Sequence, residues 1–236
     1  FAFCNCAKIE DIHINSIVNK ISNLAFSYYD GEISVDSTNT NYLVEEGLLI
    51  DKRINEIVHC QHNKEGHFSF SYRAISMKLW AFANCDKINS ISIPNSVHKI
   101  GGAAFYGCKE LQIIKLPDSL KNIEPSTFKD CINLELVDMP KKVETIGARA
   151  FNCCANLKSI SIPASVFSIE GLALENCIGL NSIYSYSHVP SEIKIGLKIF
   201  KGVNKNSCIL HVPIGSKEKY KINDEWGSFT NIIDDL

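Results

Sequence analysis

Cysteine recurs every 23 residues through the middle of this chain, and apolar residues keep the same spacing around it. The cysteine column is Cys85, Cys108, Cys131, Cys154 and Cys177. Three residues earlier stand Phe82, Phe105, Phe128, Phe151 and Leu174. Three residues later stand Ile88, Leu111, Leu134, Leu157 and Leu180, and six later stand Ile91, Ile114, Val137, Ile160 and Ile183. A fixed period of this length is typical of a solenoid, in which one small unit stacks on its neighbours as a series of rungs.

Each rung contains one strand that is buried on a single face. Ile91-Ser92-Ile93 alternates apolar and polar residues, which is typical of such a strand. Pro94 is expected to end it, because proline lacks the amide hydrogen that a sheet needs. Val97 and Ile100 are then predicted to point inward from a second short extended segment.

Glycine follows that second segment in two rungs. Gly101 and Gly147 are expected to allow a tight bend there, because glycine adopts backbone conformations that other residues avoid. The phenylalanine of the next rung is predicted to fill the core between rungs. One rung alone cannot cover its apolar face, so the stack must do it.

The repeat divides the chain into four segments of one predicted domain. Residues 1–26 form N-terminal rungs, with Phe3, Cys6, Ile9 and Ile12 in the repeat columns. Residues 27–81 form irregular, expanded rungs with a hairpin-like bulge. Residues 82–200 form the regular rungs, and residues 201–236 form a last strand and a cap. Ser216 is expected to cap a short helix, and Trp226, Phe229, Ile232 and Ile233 to cover the end of the stack.

Most of the ten cysteines are explained by the repeat itself. Cys6 and the five column members are predicted to be small, buried fillers. In-register stacking rarely gives the geometry that a disulfide needs, so free thiols are expected. The side chains of Cys153 and Cys154 should point to opposite sides. The cysteine content therefore does not decide between oxidising and reducing compartments.

Charge and hydropathy exclude several functions. The formal net charge is -2, which argues against a nucleic-acid-binding protein. No stretch of about 18 apolar residues exists, so no transmembrane helix is predicted. No signal peptide is found, but Phe1 falls within a repeat, so the natural start is expected upstream.

The repeat columns resemble the BspA-type leucine-rich repeats, a family of bacterial surface proteins. That unit runs roughly as AF-x-x-C-x-x-L-x-x-I-x-I-P-x-S-V-x-x-I-G. Residues 81–101, 104–123 and 150–169 follow it closely. Residues 41–49 resemble its longer rung variant, and residues 212–233 resemble the closing segment of Bacteroides-type members.

The resemblance implies both a fold and a function. The implied fold is a mainly β leucine-rich-repeat solenoid with short turns and 3-10 segments, stacked in a right-handed curve and closed by a C-terminal cap. The implied protein is secreted or held at the cell surface. It binds a protein or glycan ligand on a host or neighbouring cell, and no catalytic residues exist to transfer to this chain.

Outward-facing strand residues are the candidate binding surface. Ile113 and Leu136 stand side by side in one predicted column, which also contains Asp11, Ser90, Ser159 and Ser182. Lys115 and Asp138 flank them in the next column, which continues from His13 and Ser92 to Ser161 and Tyr184. A third column is Asn89, Gln112, Glu135, Lys158 and Asn181. An apolar pair with a charged rim is a candidate contact patch, and Tyr184 a candidate anchor or sugar-stacking residue. The alternative for the pair is ordinary surface apolarity or coverage by a neighbouring chain, and the alternative for Tyr184 is an ordinary strand residue.

The sequence offers little support for catalysis or metal binding. His59-Cys60-Gln61-His62 fits no standard zinc spacing, and His59 and Cys60 should face opposite sides of a strand. No nucleophile elbow, phosphate loop or zinc-protease motif is present. Neither a cofactor nor a metal is expected. A structural spacer or assembly module within a larger surface protein is the main alternative to a binding module, and a hydrolase with an unrecognised site is a second.

Overall fold

The computed structural model consists almost entirely of short strands stacked in parallel. It describes residues 2–4, 6, 8–27 and 29–236, so Phe1 lies outside the described residues. The strands are β1 (Asp11–Ile14), β2 (Glu32–Val35), β3 (Tyr42–Glu45), β4 (Leu48–Asp51), β5 (Glu56–Cys60), β6 (Gly66–Ser69), β7 (Ser76–Met77), β8 (Ile88–Ser92), β9 (Lys99–Ile100), β10 (Ile113–Lys115), β11 (Asn122–Ile123), β12 (Leu136–Asp138), β13 (Thr145–Ile146), β14 (Ser159–Ile162), β15 (Ser168–Ile169), β16 (Ser182–Ser185), β17 (Lys194–Ile195), β18 (Ile209–Val212) and β19 (Asn231–Asp234). An α-helix, α1, spans Lys217–Lys221, and 3-10 segments span Pro190–Glu192 and Trp226–Ser228.

The longer strands form what we call the front sheet. Strands β6, β8, β10 and β12 hydrogen-bond in sequence, as do β14, β16, β18 and β19. At the junction the Lys158 amide donates to the Glu135 carbonyl over 3.2 Å, so the two halves adjoin. In β10, Ile114 is buried while Ile113 and Lys115 are exposed. The sheet is therefore buried on one face only, as the alternating sequence predicts.

Two-residue strands form what we call the back sheet. Strands β11, β13, β15 and β17 pair in one part, and β7 and β9 pair in the other, which continues through β5 to β4 and β3. Met77 lies opposite Ile100. Strands β3, β4 and β5 are antiparallel, which confirms a hairpin in the irregular stretch. Val97 and Ile100 are both buried, also as predicted.

A third face, which we call the turn face, joins the back sheet to the front sheet of the next rung. Its amides donate to carbonyls one rung further on: Phe105 to Thr127 over 2.9 Å, and Phe128 to Ala150 over 2.8 Å. In the regular rungs, the residues two positions before and after each column phenylalanine have positive φ, such as Ser126 at 58° before Phe128. These rung-to-rung hydrogen bonds form what we call the turn-face ladder. The alternation of positive and negative φ points all of its amides toward the C-terminal end of the stack.

The phenylalanine column forms a continuous ring stack beneath the turn face. The Phe105 and Phe128 ring centroids are 5.5 Å apart with planes within 2°, and Phe151 follows Phe128 at 5.3 Å. All three side chains are buried. Offset or parallel stacking at this separation stabilises aromatic pairs beyond the area that they bury.

The column cysteines are buried, and they also donate hydrogen bonds. The thiols of Cys108, Cys131 and Cys154 lie 3.0 to 3.1 Å from carbonyl oxygens of the preceding rung. All ten cysteines are free, as predicted. Cys154 is buried and its neighbour Cys153 is half-buried on the other side.

The rung glycines have a different role from the one expected. Gly101 and Gly147 do not have positive φ. A Cβ atom on Gly147 would lie 2.6 Å from the Pro125 nitrogen, and one on Gly101 would lie 2.5 Å from the Leu79 nitrogen. Glycine is needed there because adjacent backbones approach closely, and not because the chain bends sharply.

Both ends of the stack depart from the regular pattern. Near the N-terminus, Ile9 is 38% exposed, so the first repeat is less well covered than its columns predict. At the C-terminus Trp226, Phe229 and Ile232 are buried as expected, but Ile233 points outward and is 42% exposed.

The cap helix also begins differently from the prediction. Ser216 precedes α1 but makes no side-chain capping bond. Its hydroxyl donates instead to the Pro213 carbonyl over 2.6 Å. Ser216 therefore fixes the turn that enters the helix.

Candidate functional site

The outward residues of the front sheet form two columns with the predicted register. Ser90, Ile113 and Leu136 are opposite one another on β8, β10 and β12. Beside them run Ser92, Lys115 and Asp138. Further along, Ser159 and Ser182 are opposite each other, as are Ser161 and Tyr184. The structure thus places the five candidate residues, Ile113, Lys115, Leu136, Asp138 and Tyr184, on one surface.

Ile113 and Leu136 form an exposed apolar pair. Their side chains are 52% and 46% exposed, whereas Ile114 and Val137 behind them are buried. Adjacent strands lie about 4.8 Å apart, so the two side chains are neighbours. The pair therefore offers apolar area that water covers in the isolated chain.

Lys115 and Asp138 flank that pair without neutralising each other. They are opposite one another in register. Neither side chain forms an ion pair or hydrogen bond with any residue in the described part of the chain. Both charges remain available to a ligand.

Tyr184 lies on the same surface, two rungs beyond Leu136. Its ring stacks on His211, with centroids 4.5 Å apart and planes within 12°. The Nδ1 atom of His211 lies 2.9 Å from the Asp235 carboxylate. Sequence periodicity missed this group, because His211 follows Tyr184 by 27 residues and not by 23.

The N-terminal ends of the predicted columns need correction. Asp11 and His13 lie on β1, which pairs with β2 in a separate two-stranded sheet. His67 takes the adjoining place in the front sheet, opposite Ser90. Its Nδ1 atom lies 2.9 Å from the Ser90 hydroxyl, so the polar side chains at this end of the surface hydrogen-bond to each other.

The third predicted column follows the edge of the front sheet. Its members lie beside or at the start of the strands, and Glu135 and Lys158 form an ion pair there. Exposed pairs of this kind contribute little to stability. The edge is therefore polar, but the two charges at its centre are already paired with each other.

Residues 59–61 are buried and His62 is half-buried, and this segment does not form a recognisable metal centre. No group of three or more histidine, cysteine, aspartate or glutamate residues suited to a metal occurs in the parts of the chain that the structure describes. His59 and Cys60 are both buried, but in different cores: the His59 ring packs on Phe26 near the N-terminus, whereas Cys60 lies in the main core. Burial lowers the pKa of His59 to about 3, and His62 next to it adds to this effect.

None of the helices in the described residues is long and apolar enough to cross a bilayer.

Comparison with known repeats identifies the family. The profile of the BspA type leucine rich repeat region matches residues 1–75 and 73–207, in six copies. The chain belongs to the BspA-type leucine-rich repeat family. No curated protein was found to match it.

Several solved structures have the same fold. A leucine rich cell surface protein from Faecalibacterium prausnitzii is 29% identical, with a TM-score of 0.73 over 79% of this chain and 51% of its own. The pneumococcal vaccine antigen PcpA is 19% identical, with a TM-score of 0.78 over 97% of this chain and 56% of its own. A leucine-rich repeat protein from Eubacterium ventriosum is 21% identical, with a TM-score of 0.71 over 82% of this chain and 59% of its own. This BspA-type chain thus matches little more than half the length of each.

Proposed function

We propose that the chain is a non-enzymatic binding module of an exported surface protein, and that the front sheet contacts a protein or glycan on a host or neighbouring cell. The observation that carries this proposal is the pairing of Ile113 with Leu136, both about half exposed, on the outer face of the sheet. Exposed apolar groups within a polar surround are typical of binding surfaces. The proposed contact residues are Ile113, Leu136, Lys115, Asp138 and Tyr184.

An extracellular or cell-surface location is proposed on the same basis. The Faecalibacterium protein of similar fold is described as a cell surface protein, and PcpA as a vaccine antigen. Repeat solenoids provide extended, rigid surfaces for binding. The buried thiols require no disulfide for stability, so the fold suits an oxidising exterior as well as a reducing interior.

The experiment is an array of extracellular-matrix proteins and glycans probed with the purified chain. The test variant is the double substitution Ile113→Asp with Leu136→Asp. The matched control is Ile132→Asp with Ile178→Asp, since these isoleucines are 43% and 65% exposed but precede β12 and β16 in turns outside the front sheet. A charge placed in an apolar contact costs binding energy because it is desolvated without a partner.

Binding that is lost in the test variant and kept in the control would support the proposal. Binding that survives in both would exclude this face. An array with no signal for the unaltered chain would favour the structural spacer. Turnover of any substrate in a broad hydrolase screen would overturn the non-enzymatic assignment.

A further inference from the structure

Between β12 and β16 the outer face of the front sheet carries only short side chains, which leaves a gap between larger ones. We call it the Tyr184 slot. Its walls are Leu136 and Asp138 on one side and Tyr184 on the other, and its floor is Ser159, Ser161 and Ser182. The strand between the walls, β14, carries only serines on its outer face, since Ile160 and Ile162 are buried.

The Tyr184 ring forms one wall of the slot and projects outward from the sheet. One face of the ring is covered by His211, whose plane lies within 12° of it. Asp235 holds His211 in place through its Nδ1 atom. Because the two rings stack along the direction from strand to strand, the opposite face of Tyr184 looks across Ser161 toward Asp138. A serine is too short to cover that face.

The polar groups of the slot are available for a ligand. Among the residues that the structure describes, none bonds to the side chains of Asp138, Ser159, Ser161 or Ser182, or to the Tyr184 hydroxyl. The other end of the same surface differs, because Ser90 and Ser92 both contact His67 there. Hydroxyls both donate and accept, so this set suits a ligand with many hydroxyl groups.

The width of the slot fits a single layer of atoms. Two strand spacings separate β12 from β16, or about 9.6 Å. A ring that contacts both walls needs roughly 3.5–4.0 Å on each side. One flat ring therefore fits between Tyr184 and the Leu136–Asp138 wall, and two do not.

Charged groups of both signs lie around the slot. Asp138 is opposite Lys115 in register. Glu135 is paired with Lys158, and Asp235 lies against His211. No charge of a single sign predominates around the slot, which is compatible with a ligand that has no net charge.

From this geometry we propose that the Tyr184 slot binds one pyranose ring of a neutral glycan. The apolar face of the sugar stacks on Tyr184 and its edge contacts Leu136, while its hydroxyls bond to Asp138 and the floor serines. The inference rests on the proposed role of the front sheet as the binding surface, and it assigns that surface a ligand class.

The experiment is an NMR titration of the isotope-labelled chain with methyl glycosides of glucose, galactose and N-acetylglucosamine. We expect shifts confined to residues of the slot, with a dissociation constant on the order of millimolar for a single sugar. Tyr184→Ala should weaken binding about tenfold, and Tyr184→Phe should keep most of it. Phe167→Ala is the matched control, since Phe167 is 49% exposed but outside the front sheet, and it should leave binding unchanged.

Raising the salt concentration separates a neutral from a charged ligand. Sugar binding should not change between low and high salt, because no ion pair forms. The same titration with acetyl-arginine amide should give no shifts in the slot. Slot shifts with the arginine probe alone, or sugar shifts that survive Tyr184→Ala, would overturn the inference. If no sugar binds while the Ile113→Asp/Leu136→Asp variant still loses its array partner, the glycan slot fails and the proposed function stands.

Discussion

The thiol of Cys131 donates to the carbonyl oxygen of Phe105 in the preceding rung, over 3.0 Å. The same oxygen accepts the amide hydrogen of Cys108 within its own rung. The column cysteine therefore joins two rungs at a point where a purely apolar residue of similar size would only fill space. This explains why the column prefers cysteine to alanine.

Removing one such thiol should lower stability. We expect Cys131→Ala to reduce the free energy of unfolding by about 1–2 kcal/mol, from a small cavity and a lost weak hydrogen bond. Cys153→Ala is the matched control, because Cys153 is half-buried and outside the column, and it should change stability by less than about 0.5 kcal/mol. Urea unfolding of both variants measures this. Equal midpoints for the two would show that the column thiol does not stabilise the stack.

The buried thiols should also resist modification. Burial raises the pKa of Cys177 to about 12 and that of Cys208 to about 11, and it raises the pKa values of Cys85, Cys131 and Cys154 as well. Thiolate is the reactive form, so these residues should be unreactive at pH 8 in the folded chain. Thiol titration with a chromogenic disulfide, before and after denaturation, measures this. Rapid native labelling of Cys177, located by mass spectrometry, would contradict it.

The close approach at Gly147 gives a third prediction. Gly147→Ala would place a Cβ atom 2.6 Å from the Pro125 nitrogen, where only backbone movement relieves the clash. We expect a loss of about 2–3 kcal/mol. Gly171→Ala is the control, since its nearest neighbour would be 3.4 Å away and its φ is not positive. That variant should be neutral or slightly stabilised. Thermal unfolding of the two alanine variants compares them directly, and a shared Tm would refute the packing argument.

His59 should make the chain sensitive to acid. Its folded pKa is about 3, against about 6.5 for an unfolded histidine, so between these values only the unfolded chain takes up the proton. Stability should therefore be full above about pH 6.5. It should fall below that pH by about 1.4 kcal/mol per unit from this residue. His62, whose pKa burial also lowers, adds to the slope.

His59→Phe tests this directly. The new ring would pack against Phe26, whose centroid lies 5.7 Å from the imidazole, and it would remove a buried nitrogen that has no partner in the described residues. The variant should be more stable at pH 5 than the unaltered chain, with a flatter stability profile. His98→Gln, at an exposed position, should keep the original profile, and an unchanged slope in His59→Phe would exclude His59 as its source.

Much of the fold was predictable because one spacing repeats. Columns such as Phe105 and Ile114 keep their places relative to Cys108, so periodicity alone identifies the buried faces and the strand that carries the candidate residues. The positive-φ positions of the turn face were only partly predictable. Gly107 and Asn176 favour that conformation, but Arg149 and Leu172 do not, and the ladder imposes it on them.

The candidate surface was predictable only where the period holds. Ile113 and Leu136 follow from it directly. The stack of Tyr184 on His211 does not, because the rung between them is longer and shifts the spacing. The Asp235 contact depends on how the cap folds back, which no repeat column encodes.

The direction of the turn-face ladder has a consequence for how such a chain changes length over evolution. Every amide of the ladder points the same way, so each rung presents donors to its successor and acceptors to its predecessor. A duplicated rung inserted anywhere in the regular stretch meets the same hydrogen-bonding edge on both sides. The sequence can therefore gain or lose a whole rung by recombination without a new interface. Each gain or loss between them moves Tyr184 farther from or nearer to the Ile113–Leu136 pair by the height of one rung.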